Sequence, residues 1–331
     1  MMVRPAWWHP SRSAPVVLLV IAALVTAGDA FSQSGYPSHT ITMICSSAAG
    51  GTSDLVSRAL AQPLSGLLHQ SVIVENMPGA NGTPATERVG RAQPDGYTLL
   101  SAVDTNLSVN PVLYSVSYDP FRDFVPIAPL ARVTLVLIVG PSGPSTLQDL
   151  IAEAKAKPGK LNYATVGYGS DHHLGTEDFK TRNNINIVHI PFRGQAAAIT
   201  ALLGGQVDME FASIGVVAPL LAAGKVKALA IAAKTRSPML PKVPTMTEAG
   251  VPGFELSGWY GLLAPAKTPP EIVQLLSKQV EKAKTDPRFV TPMHNQSLDI
   301  IDPSENLTQI MRDDVAKWKK LIETNRIKAV Q

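Results

Sequence analysis

Ser46-Ser47-Ala48-Ala49-Gly50-Gly51-Thr52-Ser53-Asp54 follows a short β-like run, residues 41–45, and opens a helix-like one. A strand, a small-residue turn with a Gly pair and a helix start can together receive an anion. Glycine bends freely and lets a ligand reach the main chain. The first N–H groups of a helix have no internal partner, and its dipole favours negative charge there. An ordinary βα turn has the same layout. Two later turns repeat it. Ala164-Thr165-Val166-Gly167-Tyr168-Gly169-Ser170-Asp171-His172-His173 lies between a β-like run and a helix, and Pro191-Phe192-Arg193-Gly194-Gln195 ends a strand and starts a helix. Ligands of open α/β sheets bind at the carboxyl ends of strands, so three such loops could close on an anion from both sides. Arg193 could pair with a carboxylate bidentately or stand solvated.

Catalytic signals are weak. Gly167-Tyr168-Gly169-Ser170 is not the G-x-S-x-G elbow of a nucleophilic serine, nor does the run fit G-x-G-x-x-G, because position 172 is His. No Walker pattern is present. His172, His173, His189 and Asp171 could suggest a metal, but adjacent helical residues point different ways, so capping or core histidines are expected and no metal or cofactor. Asp208 stands near a strand start, either bonding loop amides or meeting a cationic ligand group; the structural role is the stronger expectation.

The elements that must position these loops alternate. Strands are expected at 40–45, 72–75, 97–102, 133–139, 187–190, 207–211, 226–232 and 259–263, with helical periods between them. Ser53 is expected to cap a helix carrying Leu55, Val56, Ala59, Leu60, Leu64, Leu67 and Leu68, which Pro63 should kink or split. The fold class is α/β, with parallel or mixed sheets covered by helices. Pro-rich patches near 126–129 and 141–144 flank the strand 133–139, expected as a first crossing between two domains, with 226–232 as the return.

Residues 1–30 read as a cleavable export signal: Arg4 and Arg12 precede ten apolar residues, 16–25, and Gly28-Asp29-Ala30 offers small residues at a cleavage site. The apolar run is shorter than the roughly 20 residues needed to span a bilayer, so a periplasmic protein is expected. With 29 basic and 26 acidic side chains, the net charge of +3 gives no case for nucleic acid or an anionic membrane. The lone Cys45 cannot form an internal disulfide and is expected to be buried in the first strand.

Many segments together resemble the Bug family, the extracytoplasmic solute-binding receptors of tripartite tricarboxylate transporters. They include Ala48-Ala49-Gly50-Gly51 with Asp54, Val74-Glu75-Asn76-Met77-Pro78-Gly79-Ala80, Pro94-Asp95-Gly96-Tyr97-Thr98-Leu99-Leu100 and Asn110-Pro111-Val112-Leu113-Tyr114. Further on come Lys157-Pro158-Gly159-Lys160-Leu161-Asn162-Tyr163, His189-Ile190-Pro191-Phe192-Arg193-Gly194, Leu202-Leu203-Gly204-Gly205-Gln206-Val207-Asp208 and Trp259-Tyr260-Gly261-Leu262-Leu263-Ala264-Pro265. Their order makes the resemblance specific over residues 36–325.

The resemblance implies a periplasmic-binding-protein-like fold, two α/β domains with a ligand cleft between them and a two-strand hinge. Domain I would comprise 36–132 and 233–331, its last helix packing back across the hinge, and domain II 133–232. A small mono- or dicarboxylate would be held by main-chain groups and waters. The residues implied are Ala49, Gly50, Gly51, Thr52 and Asp54 of the first loop, Thr165, Gly167, Ser170 and His173 of the second, and Arg193 and Gly194 of the third. One departure stands out: the family's usual Pro-aromatic pair is replaced by Ser46 and Ser47, which should widen the pocket mouth, with Ser47 facing the cleft. The function expected is a monomeric, non-catalytic receptor serving the transporter's membrane subunits. A ligand-sensing partner of a sensor kinase is the alternative; a secreted hydrolase has no triad behind it.

Overall fold

The computed structural model describes residues 1–2 and 35–328. The expected export signal thus lies, apart from Met1 and Met2, outside the described residues. The chain divides into a unit ending at Ser38 and a second unit, His39–Gln331; every element named below belongs to the second.

β1 (Ile41–Cys45) leads to α1 (Thr52–Leu68), β2 (Val72–Asn76), α2 (Thr83–Gly90) and β3 (Thr98–Val103). β1 pairs in parallel with both β2 and β3. β4 (Phe124–Val139) is followed by α3 (Leu147–Ala156), β5 (Asn162–Thr165), α4 (Asp171–Asn183), β6 (Val188–Pro191), α5 (Gln195–Leu203), β7 (Met209–Ser213), α6 (Ile214–Ala222) and β8 (Lys227–Ile231). The chain ends through β9 (Ser257–Pro265), α7 (Pro270–Ala283), α8 (Pro287–Asn295), β10 (Leu298–Ile300) and α9 (Leu307–Thr324).

The strands form one mixed sheet in the order β2-β1-β3-β9-β4-β7-β5-β6, with β8 and β10 also on β4. β4 carries both halves of it. Its residues 124–134 pair with β9, and Val136 to Val139 pair with β7 and β8. Each half buries its own apolar set, Ile44, Val89, Leu100, Phe124 and Leu263 in the first, Val136, Ile138, Leu202, Val207 and Ile231 in the second.

Four local expectations are corrected. β4 starts nine residues before position 133, because Pro126 and Pro129 are absorbed at two register shifts against β9. Proline lacks the ladder N–H, and a bulge is where a strand tolerates that. Residues 226–232 are no return crossing: β8 stays on the second half of β4, and the chain rejoins the first half at Ser257. β10 is a three-residue strand that periodicity does not flag. α1 runs unbroken through Pro63, and its cap is Gly51, not Ser53. Pro63 is buried between Leu60 and Leu64, both fully buried. Each buried leucine contributes about 1.5–3 kcal/mol, which offsets one lost backbone bond. Cys45 is buried in β1 as a free thiol.

Candidate functional site

The loops after β1, β3, β5 and β6 all leave the carboxyl ends of their strands. In the first loop, Ser46 is buried and Ser47 half-buried, while Ala48, Ala49, Gly50 and Gly51 are exposed. The Ser46 hydroxyl donates to Asn106 Oδ1 at 2.7 Å, so it is spent inside the protein. No such bond occupies the Ser47 hydroxyl, whose carbonyl accepts from Asn76 Nδ2 at 3.0 Å. Gly50 adopts φ +81°, the left-handed region that favours glycine.

Asp54 shapes this loop from within. It is buried, and its Oδ2 accepts from the Gly50 N–H and from Arg58 Nε, each at 3.0 Å, while Oδ1 accepts from Asn76 Nδ2 at 2.9 Å. Burial raises its pKa, but the bonds from Arg58, Gly50 and Asn76 outweigh that and hold the carboxyl below its usual range. Gly51 N–H donates to the Ala48 carbonyl at 3.3 Å. The amides left for a ligand are those of the first turn of α1, Thr52 and Ser53, which helix geometry leaves unpaired.

The second loop is likewise self-bonded. Ser170 caps α4 by accepting from the His173 N–H at 3.2 Å and donates its hydroxyl to the Gly167 carbonyl at 2.7 Å. Thr165 Oγ1 lies 2.6 Å from His189 Nε2 and accepts from the Gly167 N–H at 3.2 Å. The Gly169 N–H donates to His173 Nδ1 at 3.2 Å. His173 and His189 stack at 4.3 Å, with Tyr163 stacked on His189 and Tyr168 edge-on to both imidazoles. Burial holds His173 down to about 4 and His189 to about 3. Thr165, Ser170 and His173 therefore shape the loop with their side chains.

The structure joins the second loop to the turn between β2 and α2, and that turn to the first loop through Asn106. Asn81 Nδ2 donates to the Tyr168 carbonyl at 2.6 Å, and the Tyr114 hydroxyl donates to the same carbonyl at 3.3 Å. Asn106 Nδ2 and Asn110 Nδ2 donate to the Asn81 carbonyl at 2.6 and 3.0 Å. Gly82 permits this approach: a Cβ there would stand 2.5 Å from Asn106 Nδ2 and 2.6 Å from Ser46 Cβ. Thr52 faces Tyr260, whose phenol pKa is raised by burial first and then by Asp171 and Asp104. In the third loop Arg193 is exposed, with no ion pair or hydrogen bond among the described residues, and Gly194 caps α5. Asp208 is not brought to the others. It sits at the amino end of β5, where Oδ2 accepts from the Asn162 N–H at 2.6 Å. Among the described residues no group of three His, Cys, Asp or Glu could hold a metal, and no helix is long and apolar enough to cross a membrane.

Sequence reasoning missed Asn81, Asp104, Asn106, Tyr114 and Tyr260. Only Asn81-Gly82 carried a signal, an Asn-Gly turn dipeptide, with Asn81 at φ +49°. The others reach the site only through the sheet.

The chain matches the model of the tripartite tricarboxylate transporter family receptor over residues 56–327. It is 34% identical to BugT of Bordetella pertussis over 313 residues, 92% of this chain and 96% of that one. It is similar to the R. palustris protein Rpa4515 solved with adipate, with a TM-score of 0.83 and 31% identity over 89% of this chain and all of that one. It is also similar to MatC of Rhodopseudomonas palustris solved with malate, with a TM-score of 0.80 and 32% identity over 87% of this chain and all of that one. Matched along nearly its whole length in sequence and in fold, the chain belongs to the receptor family of the tripartite tricarboxylate transporters.

Proposed function

We propose that this protein is an exported, non-catalytic receptor that captures a small organic carboxylate and presents it to the membrane subunits of a tripartite tricarboxylate transporter. The observation that carries this reading is the Asn81–Tyr168 contact, which joins the β2–α2 turn, itself tied to the first glycine loop through Asn106, to the second glycine loop. Relatives of the same fold hold adipate and malate. The two halves of the sheet act as domains I and II, 39–132 with 257–331 and 133–256, the return lying at Ser257 instead of position 233. They close about β4 and the segment leading into β9. The Thr52 and Ser53 amides of α1, the Ala49 amide and the Ser47 hydroxyl receive the carboxylate, and Gly50, Gly51 and Gly167, without side chains, let it approach the main chain. Arg193 and Gly194 lie at the rim. Asp54, Thr165, Ser170 and His173 hold the loops in shape. Closure is driven by the contacts that a ligand makes only in the closed form.

Mass spectrometry of protein purified from the periplasm and mildly denatured identifies the ligand and should return a small carboxylic acid. Free carboxylates should raise the melting temperature by mass action, and their amides or methyl esters should not. Equal stabilisation by the neutral analogues removes the anion site. N-terminal sequencing of the same sample should begin at Phe31 or within a few residues of it.

A further inference from the structure

Side chains from the first half of the sheet meet a single carbonyl oxygen of the second. The Tyr168 carbonyl, in the loop after β5, accepts from Asn81 Nδ2 at 2.6 Å and from the Tyr114 hydroxyl at 3.3 Å. Asn81 lies just before α2 and Tyr114 in the segment after β3, so both donors stand on the half built from β1, β2 and β3. The acceptor stands on the half built from β5, β6 and β7. Burial raises the Tyr114 phenol pKa, so its hydroxyl stays a donor at neutral pH.

Each side of this contact is braced from within its own half. Ala80 and Asn81 adopt φ +42° and +49°, the left-handed region that residues other than glycine rarely enter. Such a backbone costs free energy and persists only where its surroundings over-determine it. Here the Asn81 carbonyl accepts from Asn106 Nδ2 and Asn110 Nδ2. Asn106 Oδ1 is itself held by the Ser46 hydroxyl and by the Val103 N–H at 3.0 Å. The strained turn thus aims one side-chain amide at the other half. Opposite it, the Tyr168 ring centre lies 4.5 Å from that of His189 and 5.1 Å from that of His173, and the next amide, Gly169 N–H, is bonded to His173 Nδ1. Gly169 keeps the approach open: a Cβ there would stand 2.8 Å from the Tyr114 hydroxyl oxygen and 3.1 Å from Asn81 Nδ2.

Elsewhere the two halves face each other with like groups. Asp104 of the first and Asp171 of the second crowd one point beside Gly258, 3.3 and 3.2 Å from where its Cβ would stand. Among the described residues neither carboxyl is paired with a lysine or an arginine. That contact gives closure no ion pair, which leaves attraction between the loops to the neutral bonds at Tyr168.

We propose that Asn81 and Tyr114 latch the two halves together through the Tyr168 carbonyl and so set the balance between open and closed receptor, as positioning residues for a ligand that neither bond uses. This rests on the two-domain closure of the receptor reading above and adds what holds the closed form. Every latch bond has protein at both ends, so it stabilises closure in the unliganded receptor as in the liganded one. A ligand enclosed between the halves leaves only after the latch opens. Dwell time is thereby governed by residues other than those that choose the ligand.

The test is the separation of the two halves in the mature protein without ligand, measured by double electron–electron resonance. Spin labels go on Gln62→Cys of α1 and Ala197→Cys of α5, both exposed positions. Cys45, the chain's one cysteine, is buried and escapes labelling. Asn81→Asp keeps the side chain's size and removes its N–H donor, and Tyr114→Phe removes only the hydroxyl. In each, the ratio of the longer, open distance to the closed one should rise about fivefold or more, and further in the double variant. Adipate, the kinetic probe, should dissociate about fivefold faster in stopped flow from either variant. Melting curves identify a variant that fails to fold, and the other then decides. Unchanged distances in both variants overturn the latch and leave the carboxylate reading standing. Faster adipate release with unchanged distances overturns it too, because both side chains then act on the ligand itself. Variants that open, in a protein that no carboxylate stabilises against melting, keep the latch and overturn the carboxylate reading instead.

Discussion

The Gly50 N–H donates to Asp54 Oδ2 at 3.0 Å, inside the first loop. The Asp54 carboxylate, expected among the ligand contacts, serves the loop itself by taking up the Gly50 amide. On the proposed receptor reading, the carboxylate meets the next unpaired amides of the helix start, those of Thr52 and Ser53. Gly51, between Gly50 and Thr52, faces open space except for the Ala48 carbonyl 3.4 Å from where its Cβ would stand.

Gly51→Val is therefore the substitution that probes the site without straining the backbone, since Gly51 has an extended φ of −79° and Gly50 does not. Its branched side chain should obstruct approach to the helix end. Carboxylate affinity measured by calorimetry should fall more than tenfold, about 1.4 kcal/mol, with the melting temperature near wild type.

Ser46 and Ser47 should separate cleanly. Ser46→Ala removes a buried bond to Asn106 and should cost about 1 kcal/mol of stability, read from urea midpoints, without reordering ligands. Ser47→Phe should leave stability nearly unchanged and shift preference toward shorter ligands in a chain-length panel. An unchanged order would make the Ser47 position neutral.

Glu210 of β7 is fully buried in the second half of the sheet, and neither carboxyl oxygen has a partner. Burial raises its pKa well above the usual value. The folded state then holds a proton that the unfolded state releases, so stability is full below the unfolded value and is lost as pH rises. Glu210→Met should stabilise the protein by about 1–3 kcal/mol at pH 7. The gain in urea midpoint should be larger at pH 8 than at pH 4.5.

The stacked His173 and His189 titrate in the opposite sense. Their folded pKa values, about 4 and about 3, lie below the unfolded value of roughly 6.5. Below that pH the unfolded chain binds more protons, so stability is full above pH 6.5 and is lost as pH falls toward 4. His189→Phe keeps a ring against Tyr163 and His173 while removing one titrating group. The drop in urea midpoint between pH 7 and pH 5 should be smaller in His189→Phe than in wild type.

The sequence by itself determined the α/β alternation, the three strand-to-helix glycine turns and the family. These are written in local signals: β-branched runs, helical periods, Gly-bearing turns and motif order. Only the tertiary structure decided what the polar side chains do. Asp54, Thr165, Ser170 and His173 are expected from the family resemblance as ligand contacts, and the local bonds each makes to a nearby amide or carbonyl once the turn is formed are visible only in the fold. Asp208 lies far from the loops because Val207-Asp208 leads into β7 from its amino end, pairing alongside β5. Asp104, Asp171 and Gly258 are separated by scores of residues, and β9 inserted between β3 and β4 is what sets them side by side. Pairing between distant strands carries no local signature, because register is fixed by the burial of whole sheet faces rather than by any residue's own preference.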